Sequence, residues 1–158
     1  MLTSGSNSSA QTLTALYPDI PLIGIPGTFN GRPSGPVGTM AKRSYAYTGD
    51  LLIHAPRRFN NQAWKAYNVT SYSYHWNVIV AGLSNLVGAT HFQEVAFVFH
   101  NLNGDGYPPN GNPNPFEGMP KSYSELATVM SRAWIGFIAN GDPNSLNCEW
   151  PNKERRKS

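Results

Sequence analysis

Residues 71–80 read Ser71-Tyr72-Ser73-Tyr74-His75-Trp76-Asn77-Val78-Ile79-Val80, and they alternate. Tyr72, Tyr74, Trp76 and Val78 fall on one face; Ser71, Ser73, His75 and Asn77 fall on the other. Aromatic and β-branched residues at period two are the signature of a half-buried strand. The expectation from this stretch is a strand.

Working outward, AGLSNLVGAT (81–90) reads as a loop, followed by HFQEVAFVFHN. The five apolar residues from Val95 to Phe99 are expected to be buried, as strand or short helix; so short an apolar run does not distinguish the two. Residues 101–120 hold five Pro and four Gly and read as a long loop. A helix follows. Ser122-x-x-Glu125 matches a capping box, and Leu126, Ala127, Met130, Ala133, Trp134, Phe137 and Ile138 form one apolar stripe. Gly141 suits the left-handed residue after a helix, and Pro143 prevents continuation.

Upstream, Met40, Tyr47, Leu51, Ala55, Phe59, Ala63, Trp64 and Tyr67 recur at three- and four-residue spacing. Pro56 lacks an N–H and disfavours helix at Ala55, so two helices are expected to meet near Ala55–Arg57. Residues 17–38 are dense in Pro and Gly and read as an extended surface connection. The expected organisation is a disordered segment 1–15, a domain 16–151, and a charged tail 152–158.

Only 13% of the 158 residues are charged and 40% are hydrophobic, the reverse of a disordered composition. The formal charge is +3, but four of the 12 Lys/Arg lie in the last six residues, so the reading is a solvated tail, not a nucleic-acid surface. The aromatic strand itself contains no Lys or Arg, and no nucleic-acid partner is expected. The first residues lack an apolar signal core, and no apolar run approaches the roughly 20 residues of a membrane span. Asn7-Ser8-Ser9 and Asn68-Val69-Thr70 match the glycosylation sequon. The compartment and the oligomeric state stay open.

A serine nucleophile on a strand-to-helix elbow needs G-x-S-x-G, whose small residues permit the strained turn. Gly82-Leu83-Ser84-Asn85-Leu86 comes nearest and ends in Leu. Cys148 is the single cysteine; it cannot form an internal disulfide and has no histidine near it in sequence. His91 and Glu94 are spaced for a metal helix, but Val95 stands where the H-x-x-E-H pattern needs histidine. No metal and no cofactor are expected. Among His54, His75, His91 and His100, His91 stands out because it follows the strand on a loop flanked by Gly82 and Gly88. That is where a hydrolase carries its general base.

The string Gly88-Ala89-Thr90-His91-Phe92-Gln93-Glu94-Val95-Ala96-Phe97-Val98-Phe99 is similar to the segment bearing the catalytic histidine in type-B carboxylesterases and lipases, the cholinesterase-like α/β hydrolases. It looks most like the fungal members. Leu16-Tyr17-Pro18, the Asp50/Pro56/Arg57 region, Tyr72-Ser73-Tyr74-His75-Trp76, Gly141-Asp142-Pro143-Asn144 and Trp150-Pro151 resemble further family motifs, in order. The resemblance covers about residues 16–151.

The resemblance implies the C-terminal portion of an α/β-hydrolase fold, comprising a late sheet strand, the catalytic-histidine loop and the C-terminal helix. It implies that His91 is the general base of a serine carboxylic ester hydrolase acting on an ester or lipid. Glu94 and Gly88 support its loop, Glu94 by hydrogen bonding there. The serine, the triad acid and the oxyanion donors would precede this chain, so the chain alone is expected to be inactive. The alternative is a non-catalytic cholinesterase-like binding or adhesion module.

Overall fold

The computed structural model describes residues 7–24, 27–108, 114–144 and 149–150. Its helices are α1 (Asn7–Leu16), α2 (Ala41–Gly49), α3 (Ala55–Ala66), α4 (Val95–Val98) and α5 (Lys121–Asn140). A 3₁₀ turn at Gly35–Val37 precedes α2, and a π-helical turn at Asp50–His54 joins α2 to α3. Among the described residues there is no strand, so the expected α/β class is overturned.

The chain forms two compact units, Met1–His75 with Ser84–Gly88 and Trp76–Leu83 with Ala89–Ser158. In the first unit, α1 lies where disorder was expected, with all its residues exposed. Its Thr12 and Thr14 hydroxyls donate to the carbonyls four residues back, at 2.9 and 2.8 Å. The Pro/Gly-rich connection that follows is tied down by two cations. Arg32 donates two hydrogen bonds to Asp19, at 3.0 and 2.9 Å. Lys42, only 4% exposed, sends its ammonium to the carbonyls of Phe29 (2.6 Å) and Pro21. Gly24 is required there, because a Cβ would lie 2.9 Å from the Lys42 Cβ.

The helical rhythm of residues 40–67 is realised, and the interruption expected near Ala55–Arg57 takes the form of a π turn. Pro56 falls in the first turn of α3, where a missing N–H costs least. The preceding turn widens instead: the Ala55 N–H bonds the Asp50 carbonyl five residues back.

The second unit is built around Phe97, which is fully buried with Ala96, Ala127 and Val80. Its ring lies 4.8 Å from Trp76, 4.5 Å from Phe116 and 5.9 Å from Tyr123. The alternation in residues 71–80 is realised in part and without a sheet: Trp76 and Val78 of the expected face join this core, as does Val80, whereas Tyr74 is exposed. The backbone hydrogen bonds go elsewhere. The Ile79 carbonyl accepts from the Tyr123 hydroxyl at 2.7 Å, and the Ala81 N–H donates to the Pro115 carbonyl at 3.1 Å. Period two reports which side chains share a face, whereas a strand also needs a neighbour for its sideways N–H and C=O groups. The described residues supply none.

Three local expectations are corrected as well. Val95–Phe99 are not uniformly buried: one helical turn turns Phe97 inward and leaves Phe99 77% exposed. The capping box does not form. Helix α5 starts at Lys121 after Pro120, which places Ser122 inside the helix, where it cannot act as an N-cap, and Glu125 pairs with Lys121 at 3.1 Å. The apolar stripe is buried at Ala127 and Ala133, but Ile138 is largely exposed. The end of α5 follows the sequence reading: Gly141 is left-handed (φ 73°), and its N–H donates to the Phe137 carbonyl at 2.8 Å. The tail 152–158, Pro151 and Cys148 lie outside the described residues.

Candidate functional site

His91 opens the turn 91–94 that leads into α4. The Gln93 N–H reaches back to the Thr90 carbonyl (3.4 Å), and the Val95 N–H to that of Phe92 (3.3 Å). The Glu94 carbonyl then accepts from Phe97 and Val98, both at 3.0 Å, which starts the helix. Burial of Ala96 and Phe97 anchors this helix in the core, so the turn before it is held from one side. Phe92, directly after His91, sits at φ 77°, a left-handed conformation that costs a bulky residue about 1–2 kcal/mol.

The imidazole of His91 is exposed, and among the described residues nothing hydrogen-bonds it; its one ring neighbour is the adjacent Phe92, with centroids 6.4 Å apart. Glu94 is half-buried and helps through its main chain; its carboxylate makes no hydrogen bond among the described residues. Gly88 is buried at φ 68°, and its N–H closes a turn onto the Ser84 carbonyl at 3.0 Å. The boundary between the units falls immediately after Gly88. Phe92 and Gln93 border a recess of about 450 Å³ in the second unit, whose walls include Val80, Leu83, Tyr107 and Pro115.

The other histidines have partners. His100 Nε2 lies 3.1 Å from the Thr128 hydroxyl. His54 and His75 meet edge to face, with centroids 5.1 Å apart. Ser84, the nearest approach to a nucleophile elbow, serves its own turn: its Oγ accepts from the Val87 N–H at 3.4 Å. The described residues contain no cluster of three or more His, Cys, Asp or Glu able to hold a metal ion. None of the helices among them is long and apolar enough to cross a membrane. The sequence reading missed the contact of Arg57 with Ser73, sixteen residues away, and that of His54 with His75. No spacing rule announces either pair.

Comparison of the chain with protein-family models, with curated proteins and with solved structures finds no match.

Proposed function

We propose that this chain supplies the general-base histidine of a serine carboxylic ester hydrolase of the type-B carboxylesterase/lipase class, as the C-terminal portion of a longer enzyme. The observation that carries the proposal is the Gly88-Ala89-x-His91-x-x-Glu94 string together with the exposure of His91. Its ring takes no hydrogen bond from the described residues, so both nitrogens are open to groups from another polypeptide segment.

In this role one ring nitrogen takes the proton from a serine Oγ as that oxygen attacks the ester carbonyl. The same nitrogen then returns the proton to the departing alcohol. The second nitrogen donates to a carboxylate that holds the tautomer. The apolar recess beside Phe92 offers the adjacent space an ester's hydrocarbon part needs. Loss of a nucleophile, an acid and the oxyanion donors together removes nearly all rate enhancement, so the chain by itself is inactive.

The test uses p-nitrophenyl butyrate. The chain alone is expected to give no turnover. Joined to the polypeptide encoded upstream, which is expected to contain G-x-S-x-G, it hydrolyses the ester. His91→Ala then lowers kcat by about 10⁴-fold or more. Turnover by the chain alone that disappears in His91→Ala overturns the proposal, as does an in-frame stop codon directly ahead of Met1.

A further inference from the structure

The described residues of the first unit carry six basic side chains (Arg32, Lys42, Arg43, Arg57, Arg58 and Lys65) and two carboxylates, Asp19 and Asp50. Both carboxylates are engaged. Asp19 holds Arg32, and Asp50 accepts from the Tyr17 hydroxyl at 3.0 Å. Arg57 is half-buried, yet among the described residues no carboxylate lies within ion-pair distance of it. Its one hydrogen bond there is to a neutral group: Nη1 donates to Ser73 Oγ at 2.9 Å. A cation withdrawn from water ordinarily has a counter-charge.

Two imidazoles lie along the same seam. His54 ends the π turn three residues before Arg57, and residues three apart on a helix are surface neighbours. Its ring meets that of His75, two residues beyond Ser73, at 5.1 Å and 87°. The helical run and the segment 71–75 thus touch at two adjacent points, His54–His75 and Arg57–Ser73.

Each of these four side chains can donate a hydrogen bond. Arg57 has five N–H donors and spends one. The Ser73 oxygen accepts from Arg57, which leaves its own O–H to donate. Each imidazole presents a ring N–H in either tautomer. None of the four is an acceptor-only group, and the described part of the unit has a formal charge of +4. Donor groups beside a guanidinium that has no described carboxylate within ion-pair distance match an oxyanion. We infer that the seam between the helical run at 54–57 and residues 73–75 binds an oxyanion of phosphate or carboxylate type. Arg57 is the principal contact, and Ser73, His54 and His75 are further donors. The inference is independent of the esterase reading.

The test titrates the folded chain with inorganic phosphate, and separately with acetate, at ionic strength held constant with sodium chloride. Histidine side-chain NMR reports on the site, and calorimetry gives the affinity. Saturable shifts of the His54 and His75 resonances are expected, with those of His91 and His100 unmoved. A tighter response to phosphate assigns the phosphate type, and a tighter response to acetate the carboxylate type. Arg57→Gln is expected to weaken binding about tenfold or more, Arg57→Lys less, and Arg58→Gln not at all. Shifts that do not saturate, or an affinity unchanged in Arg57→Gln, overturn the inference. Should Arg57→Gln fail to fold, as judged by far-UV circular dichroism, Ser73→Ala decides: an affinity equal to that of the parent chain overturns it.

Discussion

In the second unit the Phe97 ring is sealed from solvent by side chains from residues 76–83, 102–107, 114–116 and 121–130. In the first unit, the π turn and α3 leave Leu51, Leu52, Ile53, Phe59 and Trp64 exposed. Both regions are rich in aromatic and aliphatic residues. They differ in how many separate segments converge on one point. Four other stretches of chain pack around Phe97, so each wall covers another. The first unit's helices are consecutive in sequence, and an apolar helix face needs a surface other than its own neighbours to cover it. Charge divides the same way. The described residues carry six basic and two acidic groups in the first unit, against two basic (Lys121, Arg132) and six acidic (Glu94, Asp105, Glu117, Glu125, Asp142, Glu149) in the second.

The comparison predicts where substitutions cost stability. Phe97→Ala empties the centre of the second unit and is expected to destabilise it by about 3–5 kcal/mol. Urea unfolding followed by native-state hydrogen exchange checks this, with amides of α5 losing protection and those of α3 unchanged. A uniform loss across both units would break the comparison.

Trp76→Phe tests the same core from the opposite side. Among the described residues the indole Nε1 is buried without a hydrogen-bond partner. Such a donor costs about 1–3 kcal/mol, and phenylalanine removes it while keeping the ring contact with Phe97. The midpoint of urea unfolding is expected to rise by the equivalent of about 1 kcal/mol, the lost ring volume offsetting the rest.

In the first unit Phe59 is 70% exposed. Phe59→Gln is expected to change unfolding free energy by no more than about 0.5 kcal/mol. It is also expected to raise the concentration at which light scattering detects association, because it interrupts an exposed apolar surface.

The smallest effect belongs to Tyr17. Burial, and then the hydrogen bond to the Asp50 carboxylate and its charge, raise its phenol pKa above the ordinary value. The folded pKa being the higher one, this contribution to stability is complete below the unfolded value near 10 and is lost as pH rises through the folded value. Absorbance at 295 nm is expected to show a tyrosine step above the ordinary phenol range, and Tyr17→Phe to remove that step.

The residues show why some of this was legible and some was not. Helix α5 and its stop could be read because periodicity and the left-handed Gly141 act within a few residues. The helical break before α3 was likewise announced by Pro56, although the π turn that absorbs it was not. His91 stood out through its own neighbours in sequence. Its lack of a hydrogen-bonding partner among the described residues, and the partnering of His54 and His75, depend on side chains far along the chain.

What the sequence determined by itself is local: a helix over most of 121–140, its termination at Gly141, a helical run interrupted near Pro56, and a shared inward face for Trp76 and Val78. Dihedral preference and side-chain period decide these within a turn or two. Only the tertiary structure decided that residues 71–80 find no strand to pair with among the described residues, that Phe97 and not Phe99 fills the core, and that Arg57 faces a hydroxyl with no described carboxylate within ion-pair distance. Each of those outcomes depends on which distant backbone or side chain arrives at the same place, and such arrivals are set by packing.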